Sequence, residues 1–181
     1  KLEEENHFEI NPDKIKELIT KKTQVIILNT PSNPTGTVLS KKILEEIADI
    51  SREKDVYIFS DEAYEDLVYD KKHISIGSLN GMEDYVVSFY TFSKSYAMCG
   101  FRLGYAAGPK DLIEAMSKTS HYITLAPPTI SQLIGIEALK LPFKYIEQMK
   151  KEYDKRRKFI VSRLNELGLK TKMPNGAFYA F

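Results

Sequence analysis

The sequence predicts an α/β protein: a mostly parallel sheet with helices on both faces, followed by the start of a smaller C-terminal α+β domain. Three observations lead to this prediction. Short apolar runs rich in β-branched residues recur along the chain, helical patterns lie between them, and polar residues follow directly after them. A run, a helix and a second run within about 36 residues are typical of a right-handed βαβ crossover, and such units bind ligands at the carboxyl ends of their strands.

The first βαβ unit begins with the apolar run at residues 24–28. This run has no polar alternation, which predicts a strand covered on both faces. Ser40 can cap the following helix, and residues 56–59 form the second predicted strand. The helix is expected to bury one apolar face at helical spacing, made by Ile43, Leu44, Ile47 and Ile50.

The next elements continue the sheet. Residues 85–89 predict a third strand, and residues 102–107 predict a fourth, short strand that Gly108-Pro109 closes. Residues 110–120 form an amphipathic helical pattern, and Pro127-Pro128 separates it from a second helix at 129–139. The inward residues of the first of these helices are expected to be Leu112, Ile113 and Met116.

The C-terminal part predicts a change of domain. Residues 143–167 are charged and helical, and Gly168 is a plausible residue for ending that helix. Residues 176–181 are apolar and predict the first strand of a smaller domain. We therefore expect residues 1–142 to belong to a large domain, and residues 143–181 to form an interdomain helix and the beginning of a small domain.

Composition excludes several classes of partner. Lys and Arg number 26 against 25 Asp and Glu, so no bulk charge favours nucleic acid or an anionic membrane. No apolar run approaches the roughly 20 residues of a membrane span, and the N-terminus has no signal-peptide core. Cys99 is the only cysteine, which suits a reducing compartment, so we expect a cytoplasmic protein. The chain starts without methionine and stops inside an apolar run, so we expect both ends to be interrupted.

Polar side chains follow the ends of three predicted strands. Asn33, Asp61 and Lys94 come after the first, second and third strands, so one edge of the sheet receives all three. This set meets the needs of pyridoxal phosphate, which requires an amine for a Schiff base, a carboxylate at the ring nitrogen and donors at the ring oxygen. Lys94 and Asp61 supply the first two, and Tyr64 and Asn33 can supply the donors.

A second set of residues can bind the phosphate of that cofactor. Arg102 follows Lys94 by eight residues, and an arginine can grip a phosphate through two parallel hydrogen bonds. The hydroxyl groups of Thr91 and Ser93 can add donors. Gly104 is expected to let the backbone pass close to a ligand.

Each of these residues also has an ordinary structural explanation. A lysine in a Ser-flanked turn is usually a solvated charge, and Asp61 can simply cap a turn, although a partly buried carboxylate would suit the ring nitrogen better. Tyr64 can be a packing residue, and an Asn-Pro pair such as Asn33-Pro34 is a common turn signal. The case for a site therefore rests on the order and spacing of the residues.

Four motifs, in order, resemble those of the fold-type I, class I/II pyridoxal-phosphate aminotransferases. The 28 residues from Asn33 to Asp61 and the eight from Lys94 to Arg102 match that family's spacing. Cys99 and Phe101 stand where members often carry Thr and Trp, positions that shape a turn. The motifs are Ser32-Asn33-Pro34-Thr35-Gly36, Asp61-Glu62-Ala63-Tyr64, Ser93-Lys94 with Arg102-Leu103-Gly104-Tyr105, and Pro174-Asn175-Gly176-Ala177-Phe178-Tyr179.

The resemblance implies a role for each candidate. Lys94 would form the Schiff base with pyridoxal 5′-phosphate, and Asp61 would pair with the ring nitrogen. Tyr64 and Asn33 would bond the ring oxygen. The phosphate would be held by Arg102, Thr91 and Ser93.

The resemblance also implies an activity and an assembly. The activity is transfer of an amino group between an amino acid and a 2-oxo acid by a ping-pong mechanism. The pair Ser131-Gln132 resembles the sequence at this place in the branch of the family that contains aspartate and aromatic aminotransferases. A homodimer is implied, in which each site is completed by the neighbouring subunit. The family's N-terminal phosphate loop and C-terminal carboxylate-binding arginine lie outside this chain.

Two other functions use a similar site. A β-eliminating lyase employs the same lysine, aspartate and arginine, and nothing in this sequence separates it from a transaminase. Some transcription regulators carry an aminotransferase-like sensor domain, but a basic helix-turn-helix is not visible in the sequence.

Two further kinds of site do not match the sequence. A P-loop requires a Gly-Lys-Ser/Thr ending that residues 31–36 lack. No metal site is expected, because His7, His73 and His121 have no ligand-pair spacing.

Overall fold

The structure is a computed structural model that describes residue 2 and residues 4–181; Lys1 and Glu3, at the start of the predicted large domain, lie outside the described residues. In this part of the chain four strands form one sheet in sequence order: β1 (Val25–Asn29), β2 (Tyr57–Asp61), β3 (Val86–Thr91) and β4 (Gly104–Ala107). The pairs β1–β2 and β2–β3 are parallel, whereas β4 runs antiparallel to β3. The predicted α/β class with a mostly parallel sheet is confirmed.

Helices connect and follow the strands. Short 3₁₀ turns lie at Glu4–Asn6, Ile76–Ser78 and Cys99–Phe101. The described part of the chain contains no helix that could span a membrane. The α-helices are α1 (Pro12–Leu18), α2 (Lys41–Lys54), α3 (Phe92–Ser95), α4 (Lys110–Thr124), α5 (Thr129–Leu139) and α6 (Lys144–Glu166).

The core lies between α2 and one face of the sheet. Ser40 starts α2 as predicted: its side chain accepts a hydrogen bond from the backbone N–H of Ile43. On the sheet side Leu28 and Ile58 are fully buried against the apolar face of the helix. Burying each such Leu or Ile contributes roughly 1.5–3 kcal/mol, which fixes the crossover on the sheet. The helix residues in this core are Leu44, Ile47 and Ala48.

The opposite face of the sheet differs from the prediction. Ile27 points away from α2 and is 77 % exposed, so the described residues cover β1 on one face only at this position. The apolar run predicted burial of both faces, but apolarity alone does not specify which element supplies the cover.

One helix was not predicted, and another is longer than predicted. The sequence analysis assigned no element to residues 12–18, yet Asn11 caps α1 by accepting a hydrogen bond from the N–H of Asp13 at 2.9 Å. Pro12 at the first helical position completes a recognisable start signal. Helix α4 extends to Thr124, and its predicted inward residues are only half-buried.

The predicted strand at residues 176–181 is wrong for this structure. Within the described residues, Gly176 pairs with Val68 in an isolated bridge, and the rest of the segment has no ladder partner. The backbone N–H groups of Asn175 and Gly176 instead donate to the carbonyl of Gly36, at 3.1 and 2.8 Å. A Cβ on Gly36 would lie 2.3 Å from that of Pro174, so this approach requires glycine.

The predicted end of α6 is confirmed. Gly168 follows the helix with a φ of +81°, and its N–H donates to the carbonyl of Asn165 at 3.0 Å. The division into domains at residue 142 remains a prediction.

Candidate active site

The strand register brings the first polar candidates to one edge of the sheet. At the carboxyl ends of the parallel strands, Asn29 lies opposite Asp61 and Asp61 lies opposite Phe89. Strand β3 ends at Thr91, and helix α3, which contains Lys94, follows directly. The edge predicted to collect the functional groups therefore exists.

Lys94 is half-buried on α3 and lies between two aromatic rings. Its Nζ is 5.4 Å from the centroid of the Tyr64 ring and 5.3 Å from that of Phe178. Ring faces attract an ammonium group and exclude water from its flanks. The amine is thus held at the sheet edge by two rings from distant parts of the chain.

Tyr64 is the most buried of the predicted ring-oxygen donors, with 3 % of its surface exposed. Its hydroxyl shares a hydrogen bond with the hydroxyl of Tyr179. The Phe178 ring packs edge-on against the Tyr64 ring, with centroids 5.3 Å apart. Sequence analysis quoted Phe178 and Tyr179 within a motif but gave them no role.

Asp61 ends β2 with its side chain exposed, not partly buried as its proposed role favoured. Its Oδ1 accepts a hydrogen bond from the N–H of Ala63 at 3.2 Å, which is the turn-capping contact of the ordinary explanation. One oxygen makes that contact, so the carboxylate retains lone pairs that can face a cation.

Asn33 is exposed in the loop after β1. Its backbone N–H donates to Oδ1 of Asn29 at 2.7 Å, which fixes the loop over the sheet edge. The peptide bonds before Pro31 and Pro34 are both cis. The side-chain amide of Asn33 is available at the same edge as Asp61.

The residues predicted to bind the phosphate lie at the end of β3 and in the turn that follows it. Thr91 caps α3: its Oγ1 accepts from the N–H of Ser93 at 3.1 Å and donates to the carbonyl of Leu103 at 3.3 Å. Arg102 has a left-handed φ of 51° and donates from Nη1 to the carbonyl of Cys99 at 3.0 Å. Because Arg102 is exposed, most of its guanidinium donors remain free to meet an anion.

Gly104 has a different role from the predicted one. Its Cβ would lie 2.7 Å from the carbonyl oxygen of Tyr90, so glycine is required where β4 approaches β3. The close approach is between two strands and not between the backbone and a ligand.

The sequence analysis missed a buried polar network beside Asp61. Glu62 is 1 % exposed, and its two oxygens accept from His73 Nε2 at 2.7 Å and from Ser75 Oγ at 2.8 Å. Burial alone would raise the pKa of Glu62, but the hydrogen bonds from His73, Ser88 and Ser75 outweigh burial and hold that pKa below its usual value. In the sequence, the only sign of this network is that His73 and Ser75 follow the Asp61-Glu62 pair within 13 residues.

These side chains fit pyridoxal phosphate by their donor chemistry. A half-buried amine, a carboxylate with free lone pairs, a buried phenol and an exposed arginine beside a hydroxyl-rich turn lie along one sheet edge. Lys94 would hold the aldehyde carbon, Asp61 the ring nitrogen, Tyr64 and Asn33 the ring oxygen, and the group Thr91, Ser93 and Arg102 the phosphate.

The sheet and this set of residues define an α/β protein of the fold-type I pyridoxal-phosphate class. The chain belongs to the aminotransferase class I and II family, whose profile matches residues 1–181. Members of that family depend on pyridoxal phosphate.

Relatives by sequence include enzymes for two kinds of amino acid. An aspartate aminotransferase of Pyrococcus abyssi is 49 % identical over 181 residues, covering 98 % of this chain and 46 % of the relative. An aromatic-amino-acid aminotransferase 2 of Thermococcus litoralis is 45 % identical with the same coverage of both chains. The chain thus spans about half the length of the curated relatives it matches.

Solved structures agree with the fold. The crystal structure of an aromatic aminotransferase from Pyrococcus horikoshii matches with a TM-score of 0.94 and 48 % identity, covering 98 % of this chain and 48 % of that one. A Thermus thermophilus aspartate aminotransferase tetra mutant complexed with tryptophan matches with a TM-score of 0.95 and 37 % identity, covering 99 % of this chain and 47 % of that one.

Proposed function

We propose that the full-length protein is a pyridoxal-phosphate-dependent aminotransferase that moves an amino group between an amino acid and a 2-oxo acid. The observation that carries the proposal is the Lys94 amine, held between the Tyr64 and Phe178 rings at the sheet edge that also presents Asp61. Family membership supports the same reaction.

The bound cofactor supplies an aldehyde that condenses with amines and a ring that withdraws electrons from the substrate Cα. Lys94 would hold the cofactor through that aldehyde until an amino acid takes its place. The freed Nζ would then act as the base that removes the substrate Cα proton and as the acid that returns it, so one group would serve both roles. In the structure this Nζ lies half-buried between the rings of Tyr64 and Phe178 at the sheet edge.

The other residues hold charge where the reaction needs it. The Asp61 carboxylate would pair with a protonated ring nitrogen, and the Tyr64 hydroxyl and the Asn33 amide would donate to the ring oxygen. Arg102 would pair with the phosphate and the Ser93 hydroxyl would donate to its oxygens, while the Thr91 hydroxyl would do so by turning its hydrogen away from the Leu103 carbonyl. Water would release the first product as an oxo acid and leave its amino group on the cofactor, and a second oxo acid would then take up that group by the reverse sequence, which gives ping-pong kinetics.

The substrate class follows from the relatives alone. Because named relatives act on aspartate and on aromatic amino acids, we infer one of these two types of donor. A screen of amino donors with 2-oxoglutarate as acceptor identifies it. Release of pyruvate and ammonia from a cysteine-type substrate without any oxo acid would instead identify a β-lyase.

The test of the proposal traps the covalent bond to Lys94. Borohydride reduction of the full-length protein with pyridoxal phosphate should label the peptide that contains Lys94, and Lys94→Ala should lose the label and change the visible absorbance to that of the unbonded aldehyde. Lys110→Ala removes an exposed lysine of α4 and should change neither. A borohydride label of equal yield in Lys94→Ala would sink the assignment.

We further infer a cytoplasmic homodimer, with residues 1–142 in its large domain and residues 143–181 leading into its small domain. The family resemblance supports the dimer, and the single cysteine supports a reducing compartment. Sedimentation of the full-length protein should give twice the monomer mass; a monomer at all concentrations would contradict the dimer.

A further inference from the structure

The hydrogen bond between Tyr64 and Tyr179 joins residues that are 115 positions apart, one after β2 and the other near the end of the chain. We propose that Tyr179 is a positioning residue for the cofactor: its hydroxyl donates to the Tyr64 oxygen and thereby directs the Tyr64 hydrogen toward the ring oxygen. This inference rests on the proposed function, since it assigns Tyr179 a role only if Tyr64 donates to pyridoxal phosphate.

The direction of the bond follows from hydrogen counting. A phenol hydroxyl has one hydrogen to donate and lone pairs to accept. If Tyr64 gives its hydrogen to the cofactor, then it must accept in its bond with Tyr179, and Tyr179 must be the donor. A donor that is itself hydrogen-bonded at its oxygen is also polarised, which makes it a stronger donor.

Tyr179 is held firmly enough to fix that direction. Two residues earlier, Ala177 is fully buried; its N–H donates to the carbonyl of Leu67 at 2.8 Å, and its carbonyl accepts from the Tyr69 hydroxyl at 2.6 Å. The Tyr179 ring packs edge-on against the Tyr64 ring, with centroids 5.7 Å apart. A side chain whose ring is packed, two residues after an anchored stretch of backbone, can orient a partner hydroxyl.

Phe178 completes this support from the other direction. Its ring stacks on Tyr153 of α6 at 5.4 Å and lies under the Lys94 amine at 5.3 Å. Residues 177–179 therefore reach from α6 to both Tyr64 and Lys94.

Tyr179 also keeps its hydrogen over the working pH range. Burial raises the pKa of Tyr179 to about 12, and the bond with Tyr64 acts in the same direction. The charged or titratable groups that face it are Tyr64, Lys94 and Cys99, of which Lys94 acts in the opposite direction. The donor in the bond is thus preserved wherever the enzyme would work.

The test measures the pH midpoint of the visible absorbance of pyridoxal phosphate bound to the full-length protein. A hydrogen bond to the ring oxygen favours the form in which that oxygen is charged and free of the proton, so weakening it raises the midpoint. Tyr64→Phe should raise the midpoint most. Tyr179→Phe should raise it by roughly half a unit to one unit, because it weakens the Tyr64 donor without deleting it.

The double variant separates an action through Tyr64 from a general loosening. If Tyr179 acts only through the Tyr64 hydroxyl, then Tyr64→Phe with Tyr179→Phe should have the midpoint of Tyr64→Phe alone. Tyr153→Phe is the matched control: it deletes a hydroxyl from the ring that stacks on Phe178 and leaves the Tyr64–Tyr179 bond in place. Its midpoint should equal that of the wild type.

Gel filtration removes free cofactor before each measurement, so the absorbance reports bound cofactor and a variant with reduced occupancy still yields a midpoint. An unchanged midpoint in Tyr179→Phe, beside a shifted one in Tyr64→Phe, overturns this inference and leaves the proposed function intact. Additive shifts in the double variant, or an equal shift in Tyr153→Phe, also overturn it. A wild-type protein that shows no visible absorbance with pyridoxal phosphate refutes the proposed function itself.

Discussion

Two neighbouring glutamates, Glu62 and Glu65, lie on one turn but in opposite electrostatic environments. Hydrogen bonds from His73, Ser88 and Ser75 outweigh the burial of Glu62 and hold its pKa low. For Glu65, burial comes first and the charges of Asp66 and Glu62 add to it, which raises its pKa to about 7. One carboxylate therefore stabilises the fold when charged, and the other destabilises it.

Replacing Glu62 or Glu65 by glutamine should change the free energy of unfolding of the full-length protein in opposite directions. The Glu62 carboxylate contributes stability that is present above its ordinary pKa of 4.5 and is lost as the pH falls further. Glu62→Gln should therefore lower the free energy of unfolding at neutral pH by about 1–3 kcal/mol and flatten the loss in acid.

Glu65→Gln is the matched control, with one carboxylate removed from the same turn. Since the folded protein binds the extra proton, Glu65 costs stability as the pH rises from 4.5 to about 7. Its replacement should make the protein more stable above that window. Thermal melts across this pH range measure both effects, and curves that shift in the same direction would contradict the assignment.

Asp61 allows a second prediction for a single residue. Asp61→Asn should keep the visible absorbance and lower turnover by a factor on the order of 10² or more, because a neutral partner no longer holds the ring nitrogen protonated. Asp49→Asn, an exposed carboxylate of α2, is the control and should retain turnover. Nearly unchanged turnover in Asp61→Asn would leave Asp61 only its turn-capping contact with Ala63.

At the scale of elements, helix α2 determines where the first crossover lies. Its Ser40 cap accepts from the N–H of Ile43 at 3.3 Å, and its apolar face covers Leu28 and Ile58. The crossover places Asp61 beside Asn29 through the β1–β2 register. Stability of this helix therefore supports the sheet edge that carries the site.

The cap predicts a graded series. Ser40→Ala should lower the free energy of unfolding by about 1 kcal/mol, since one N–H of the first turn loses its acceptor. Ser40→Asn restores an acceptor and should recover most of that loss. Urea denaturation of the full-length protein measures the series, and an Ala variant as stable as the Asn variant would show that the cap contributes nothing.

At the scale of the whole molecule, Arg157 ties the C-terminal segment to the rest of the chain. It is 5 % exposed and donates to Asp154, to Asp70 at 2.7 Å and to the carbonyl of Pro174 at 2.5 Å. Its guanidinium also lies 4.3 Å from the centroid of the Tyr69 ring. One side chain on α6 thus fixes the segment that leads to Phe178 and Tyr179.

Replacing Arg157 should make residues 174–181 less rigid and should weaken cofactor binding, although Arg157 does not contact the site. Arg157→Met should lower the free energy of unfolding by about 1–3 kcal/mol, because the Pro174 carbonyl loses its donor, and should weaken cofactor binding. Arg157→Lys should recover little, since a lysine cannot reproduce the forked contacts or the stacking on Tyr69. Hydrogen exchange of residues 174–181 should accelerate in both variants.

Arg156→Met provides the control on the same helix. Arg156 pairs with Glu152 on the exposed surface, where such pairs contribute roughly 0–1 kcal/mol. It should leave exchange of residues 174–181 unchanged. Equal acceleration in Arg156→Met and Arg157→Met would contradict a specific role for Arg157.

The sequence by itself determined the parallel strands, the α2 crossover and the edge to which Asp61 and Lys94 come. These features depend on local patterns: apolar runs, helical spacing and the rule that parallel strands end at a common edge. The Asn11-Pro12 start of α1 was also readable and was overlooked.

Only the tertiary structure decided what surrounds Lys94. The rings of Tyr64 and Phe178, the Tyr179 hydroxyl and the His73 partner of Glu62 come from separate segments. Contacts between such segments depend on how the whole chain packs, and a local pattern does not encode that. For the same reason residues 176–181 read as a strand from their apolarity, while in the fold the segment lies along the Gly36 loop and finds no ladder partner among the described residues.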